Sequence, residues 1–208
     1  MHLKKIPNFS HLSKYISVDA IFYIKKWLSP YWFQLYIKNP RNSKLGDYKF
    51  PKSNEPHKIS INAGLHPSLF FFTLTHEIAH LIAFNTYSVK IAPHGKEWKK
   101  VFSEMILESI NVYEIDLQPL LIRFSKSPKA SYYASPYISE YFNKKLSPNI
   151  FLLKDLDLGN EFIIKNKVFL KLQKIKTRYI CVEKKSNKKY LISGSAPIEK
   201  IGYNLHEK

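Results

Sequence analysis

Between Lys58 and Lys90 lie 31 residues in which the only Asp, Glu, Lys or Arg is Glu77. Taking an ionised carboxylate out of water without compensation costs several kcal/mol, so a lone acid in so apolar a stretch needs a chemical reason to be there. From Ser68 to Tyr87 the apolar residues Phe70, Phe71, Phe72, Leu74, Ile78, Leu81, Ile82 and Phe84 run round the whole helical circumference. That pattern predicts a long helix buried in the core rather than an amphipathic surface helix.

His76, Glu77 and His80 are then interior polar groups. A spacing of four puts both imidazoles on one helix face, within reach of one Zn²⁺ ion at about 2.0–2.1 Å, and leaves Glu77 beside them to act on a water. This is the His-Glu-x-x-His arrangement found in zinc proteases. The competing reading is two core histidines held by hydrogen bonds, the match being accidental. Random placement of the chain's 8 His and 11 Glu would produce the pattern only roughly 0.02 times, which favours the metal reading.

Catalytic zinc usually keeps three protein ligands and one open position, so a third ligand is required. A second helix is expected from about Pro93-His94 to Ile110, with Trp98, Val101, Phe102, Met105 and Ile106 as its apolar stripe. On that helix His94 shares the stripe of Trp98, Val101 and Met105 and faces the core, which makes it the preferred third ligand. Glu104 is the rival, projecting toward the polar flank with Glu97 and Glu108.

The segment Thr73-Leu-Thr-His-Glu-Ile-Ala-His80, followed after a short interval by His94-Gly-Lys-Glu-Trp98, resembles the SprT-like family, which includes the DNA-associated protease Spartan. Leu45-Gly-Asp-Tyr48 and Ile59-Ser-Ile-Asn62 resemble the segments that precede the metal helix in bacterial members. The likeness covers about residues 41 to 107. It implies a zincin-like metalloprotease core, one catalytic zinc on His76, His80 and His94, and Glu77 as the catalytic residue. Many members end in a zinc ribbon of paired cysteines. This chain has Cys181 alone, so no second structural zinc and no ribbon-borne nucleic-acid binding are expected.

The remainder of the chain reads as elements around that core. Ser17 caps a helix carrying Ala20, Ile21, Ile24, Trp27 and Leu28, stopped by Ser29-Pro30, and Tyr31 to Ile37 reads as a strand. Lys58 to Asn62 alternates as a half-exposed strand, and this strand or a neighbour is expected to pair with an extended substrate. Residues 119 to 146 are weakly helical, broken by Pro119, Pro128 and Pro136. From Phe151 short apolar runs at Phe162–Ile164, Val168–Leu172, Arg178–Glu183 and Tyr190–Ile192 alternate with turn signals at Asn166 and Ser186-Asn187. The expected fold is therefore α+β: a metalloprotease domain over 1–147 with a small sheet, then a small basic β-rich module over 148–208. His57 and His66 are read as loop residues.

No stretch has the form of a signal peptide, and Leu69 to Phe84 is too short and too interrupted to span a bilayer. With a single cysteine, the chain suits a reducing compartment, and a cytoplasmic, nucleoid-associated setting is expected. The net charge of +17 makes DNA an expected partner through the flanks, where the excess concentrates, although 30 Lys against 3 Arg is also what an AT-rich coding sequence produces. The leading expectation is a peptidase acting on DNA-associated proteins. A nucleic-acid-binding scaffold with little turnover and a small-peptide metallopeptidase are the alternatives.

Overall fold

The computed structural model describes residues 9–41, 44–88 and 91–201. Two compact units divide the chain, Met1–Ala130 and Ser131–Lys208. Together they give an α+β protein: a small mixed sheet with helices, then a six-stranded antiparallel sheet.

In the first unit helix α1 (Val18–Leu28) begins where the Ser17 hydroxyl accepts the Ala20 N–H at 3.2 Å. Strands β1 (Phe33–Lys38), β2 (Gly46–Lys49) and β3 (His57–Asn62) form a sheet in the order β1-β3-β2, with β3 parallel to β1 and antiparallel to β2. Long helix α2 (Pro67–Tyr87) starts with proline in its first turn, where no intrahelical N–H is needed. It packs against β2 and β3 on one side and against α1 and α3 (Lys96–Glu108) on others, which is why it is apolar nearly all round. Helix α4 (Gln118–Ser125) closes the unit against α3. Phe72 joins the layers, its ring 5.4 Å from both Phe102 of α3 and Phe124 of α4. Glu108 of α3 accepts from Trp27 Nε1 at 2.8 Å and from Lys26, which ties α1 to α3.

Three expectations are corrected here. Helix α3 starts at Lys96, so His94 lies before it, with φ of 58°, and is not on the Trp98 stripe. Gly95 serves as N-cap, and its N–H bonds back to the Ala92 carbonyl at 2.9 Å, so the chain turns before the helix begins. Strand β3 is paired on both sides, which leaves Lys58–Asn62 no free edge for a substrate; β2 is the antiparallel edge. His57 is the first residue of β3 and is buried, not a loop residue.

The second unit holds α5 (Pro136–Leu146) and strands β4 (Phe151–Leu152), β5 (Glu161–Ile164), β6 (Lys167–Ile175), β7 (Arg178–Glu183), β8 (Lys189–Ser193) and β9 (Pro197–Lys200), in the order β4-β9-β5-β6-β7-β8. The unit begins ahead of the boundary expected near Ser147-Pro148, so α5 goes with the sheet. Lys165 and Asn166 both take positive φ, 51° and 61°, as a two-residue hairpin of primed type requires. Leu153, Phe162, Phe169, Tyr179, Cys181 and Ile198 form the core, with Cys181 behaving as a small buried hydrophobe. Among the described residues no helix is long and apolar enough to cross a membrane.

Glu183 ends β7 buried, and takes hydrogen bonds from Lys167 Nζ at 2.9 Å, Ser186 Oγ at 2.7 Å and Tyr190 Oη at 3.1 Å. These donors, Lys167 foremost, hold its carboxyl down at about 2, below the ordinary 4.5. A carboxyl depressed on folding contributes stability that is present above its unfolded pKa and is lost as pH falls through the folded one. Protection of the β7 amides from hydrogen exchange should therefore weaken as pH falls from about 4.5 toward 2. Glu183→Gln should flatten that acid limb while lowering protection at neutral pH; an unchanged acid slope would assign the effect elsewhere.

Candidate metal centre

His76 and His80 project from the same side of α2, and the turn before α3 brings His94 to meet them. The three Nε2 atoms lie 3.2 Å apart (His76–His80), 3.0 Å (His80–His94) and 3.1 Å (His76–His94). Among the described residues this is the one cluster of His, Cys, Asp or Glu that could hold a metal ion. Glu104 is exposed on α3 and takes no part.

A cation suits this geometry for a reason internal to it. Burial, with the neighbouring imidazoles, pushes His76 down to about 2 and His80 to about 4, and burial lowers His94, so the rings are neutral. Neutral imidazoles that turn three lone pairs toward one point repel one another unless a cation sits between them. Tetrahedral zinc with bonds of about 2.0–2.1 Å requires nitrogen–nitrogen separations of about 3.3 Å. The observed 3.0–3.2 Å is close to that edge and needs only a slight opening.

Trp98 supports all three rings. Fully buried in α3, its ring centroid lies 4.6 Å from His76, 5.3 Å from His80 and 4.6 Å from His94. Its indole N–H points to the His76 carbonyl at 3.4 Å, which links α3 to the backbone of the metal helix. Gly95 is needed just before it: a Cβ there would lie 2.9 Å from the Ala92 carbonyl oxygen.

Glu77 lies on a different face of α2, toward β2. Burial, then the nearby Asp47, raises its carboxyl to about 8, opposed by Lys44, Arg41 and the nearby Tyr48 backbone N–H. A cation held by the histidines acts in the same sense as those opposing charges and favours the carboxylate. The close approach depends on Gly46 in β2. A Cβ on that residue would fall 2.6 Å from Glu77 Oε1, 2.8 Å from its Cγ and 3.0 Å from Thr73 Cγ2. Composition and periodicity alone did not single out Gly46, although a glycine inside a short strand is the ordinary mark of close backbone approach.

The structure thus brings His76, His80 and His94 together and sets Glu77 beside them on the same helix, against the edge strand. What fold and site define is an α+β domain with a three-histidine cluster able to hold a metal ion, built on a buried His-Glu-x-x-His helix. Residues 39–117, which include all four residues, match the model of the SprT-like family and form a SprT-like domain. No curated protein and no solved structure matched the chain.

Gly46→Ala should force β2 away from α2. Overpacking of this kind costs about 1–3 kcal/mol, so a lower melting temperature is expected, with bound metal retained because the three histidines are untouched. Thermal melts beside metal analysis check this, and an unchanged melting temperature would show that β2 and α2 separate freely.

Proposed function

We propose that the chain is a zinc-dependent metallopeptidase with a zincin-like catalytic unit, and the convergence of three neutral imidazoles beside one buried carboxylate carries that reading. His76, His80 and His94 would hold the ion, which when bound supplies a Lewis acid with a position open to water or a carbonyl oxygen. Imidazole binds other divalent ions too, and the all-nitrogen tetrahedral edge favours zinc.

Glu77 is the general base. Its carboxylate takes a proton from the attacking water as the new C–O bond forms and the carbonyl oxygen gains charge, then delivers that proton to the amine nitrogen as the peptide C–N bond breaks. Close packing against Gly46 of β2, with the Tyr48 N–H nearby, confines that carboxylate. Proton transfer is efficient when the acceptor is fixed within hydrogen-bond reach of its donor.

Strand β2 is the edge of its sheet, and an extended peptide can add to it antiparallel through main-chain hydrogen bonds. Recognition by backbone favours unfolded or accessible chain over a particular sequence. The net charge of +17 supports proteins held on nucleic acid as substrates, since lysines concentrate the chain near phosphate.

The experiment is metal content and cleavage of casein and of a DNA-bound protein, with and without DNA, for the native chain, Glu77→Gln and His94→Ala. One zinc per chain is expected in the native protein and in Glu77→Gln. Cleavage by Glu77→Gln should fall by about 10²–10⁴, whereas His94→Ala should lose zinc and activity together. Stimulation by DNA would support the DNA-linked substrate class. Zinc without cleavage would move the reading to a binding protein, and freshly prepared protein without metal would overturn it.

A further inference from the structure

Behind the metal cluster lies a hydrogen-bonded chain that the peptidase reading does not use. Asn85, in the last turn of α2, directs its amide nitrogen to the Leu81 carbonyl oxygen at 2.8 Å and to His57 Nε2 at 3.2 Å. His57 Nδ1 in turn lies 2.9 Å from the Tyr48 hydroxyl.

The proton positions along this chain follow from the first bond. The Leu81 carbonyl can only accept, so Asn85 must present its nitrogen there; its oxygen would meet another oxygen. An amide nitrogen can only donate, so His57 Nε2 is the acceptor and carries no proton. Burial lowers the pKa of His57 and keeps the ring neutral. Its single proton is therefore on Nδ1 and is donated to the Tyr48 oxygen. The phenol accepts from His57, which leaves its own proton uncommitted. Among the described residues that proton has no acceptor.

Tyr48 is also beside the chemistry. Its ring stacks parallel to that of His80, with an interplanar angle of 2° and centroids 6.0 Å apart, and its backbone N–H lies near the Glu77 carboxylate. It stands in the edge strand β2, half-buried, two residues from Gly46 and so on the same face toward α2. An oriented donor with a spare proton, next to both the base and a metal-cluster histidine, is what a developing oxyanion requires.

We infer that Tyr48 is a catalytic residue that donates its hydroxyl proton as a hydrogen bond to the carbonyl oxygen of the scissile peptide bond, and that His57 and Asn85 are positioning residues that keep it a donor. No covalent change occurs at Tyr48: the proton stays on the phenol and the hydrogen bond strengthens as negative charge builds on the substrate oxygen. This rests on the metallopeptidase reading of the same site.

The test is Tyr48→Phe in the full zinc-loaded chain, assayed on casein-derived peptides beside the native protein, with ring ¹⁵N shifts of His57 measured in both. Removing one oxyanion donor lowers kcat by about 10²–10³. That loss is expected with KM and zinc content within about threefold of native, and the native His57 should show the Nδ1–H tautomer. A native chain that cleaves peptides while Tyr48→Phe cleaves them equally well would overturn this inference alone. So would a His57 protonated at Nε2, or a variant whose lost activity follows lost zinc. A zinc-loaded native chain inert toward all peptides would overturn the metallopeptidase reading and this inference with it.

Discussion

Burial of Glu77 governs the first unit. An ionised carboxylate inside a protein carries a penalty of several kcal/mol unless donors and cations compensate it, and this one sits on a helix whose other neighbours are almost all apolar. The fold answers from one direction. Strand β2 approaches so closely that only glycine fits at position 46, and the backbone N–H of the next-but-one residue, Tyr48, lies near enough to favour the carboxylate. Backbone donors cost no side-chain entropy to fix, unlike a lysine at the end of four rotatable bonds. The sheet therefore has a chemical task beyond covering α2. It confines a carboxyl whose pKa burial raises to about 8.

The histidines meet under a different constraint. Two of them share a rigid helix, so their separation is set by the four-residue spacing, and only the third has to be brought in from elsewhere. His94 arrives on a turn, with φ of 58°. A non-glycine residue in that left-handed region costs about 1–2 kcal/mol, which the surrounding packing has to offset. Trp98 supplies much of it: the indole touches all three imidazoles and anchors to the carbonyl of His76. One large buried ring thus fixes the relative positions of groups from two elements, and preorganisation of this kind is what separates a metal centre from three nearby histidines.

How much of this was legible in the sequence depends on the range of the interaction. The metal helix and its two histidines were readable because charge depletion and the four-residue spacing are local. Phe162–Ile164, Val168–Leu172, Arg178–Glu183 and Tyr190–Ile192 were readable as strands for the same reason, whereas β4 and β9 are too short, and the latter too proline-marked, to give a period-two signal. His94 lies in the cluster but precedes the helix whose periodicity points it at the core, so helical spacing does not explain its place there. The resemblance of His94-Gly-Lys-Glu-Trp98 to a family pattern carried that information better than geometry did. Gly46, Tyr48, His57 and Asn85 were not legible as site residues. Their placement arises from β2 and β3 lying against α2, a tertiary fact with no local periodicity; in the sequence Leu45-Gly-Asp-Tyr48 carries only a family likeness.

Strand β2 therefore holds three connections at once. Through Gly46 it admits Glu77, the Tyr48 N–H lies near that carboxylate, and through the Tyr48 side chain it reaches His57 and the ring of His80. It is also the edge of its sheet, the place where an extended chain can add. An edge strand of four residues is otherwise among the less restrained parts of a small sheet, because only one side is paired. A peptide that paired with its free side would restrain it further, and the restraint would pass to Tyr48, which the strand carries, and to the Glu77 carboxylate packed against Gly46. Binding energy gained along the peptide backbone would then be spent on fixing the groups that act in the transition state, which is the condition under which substrate contacts remote from the reacting bond raise kcat rather than merely lower KM.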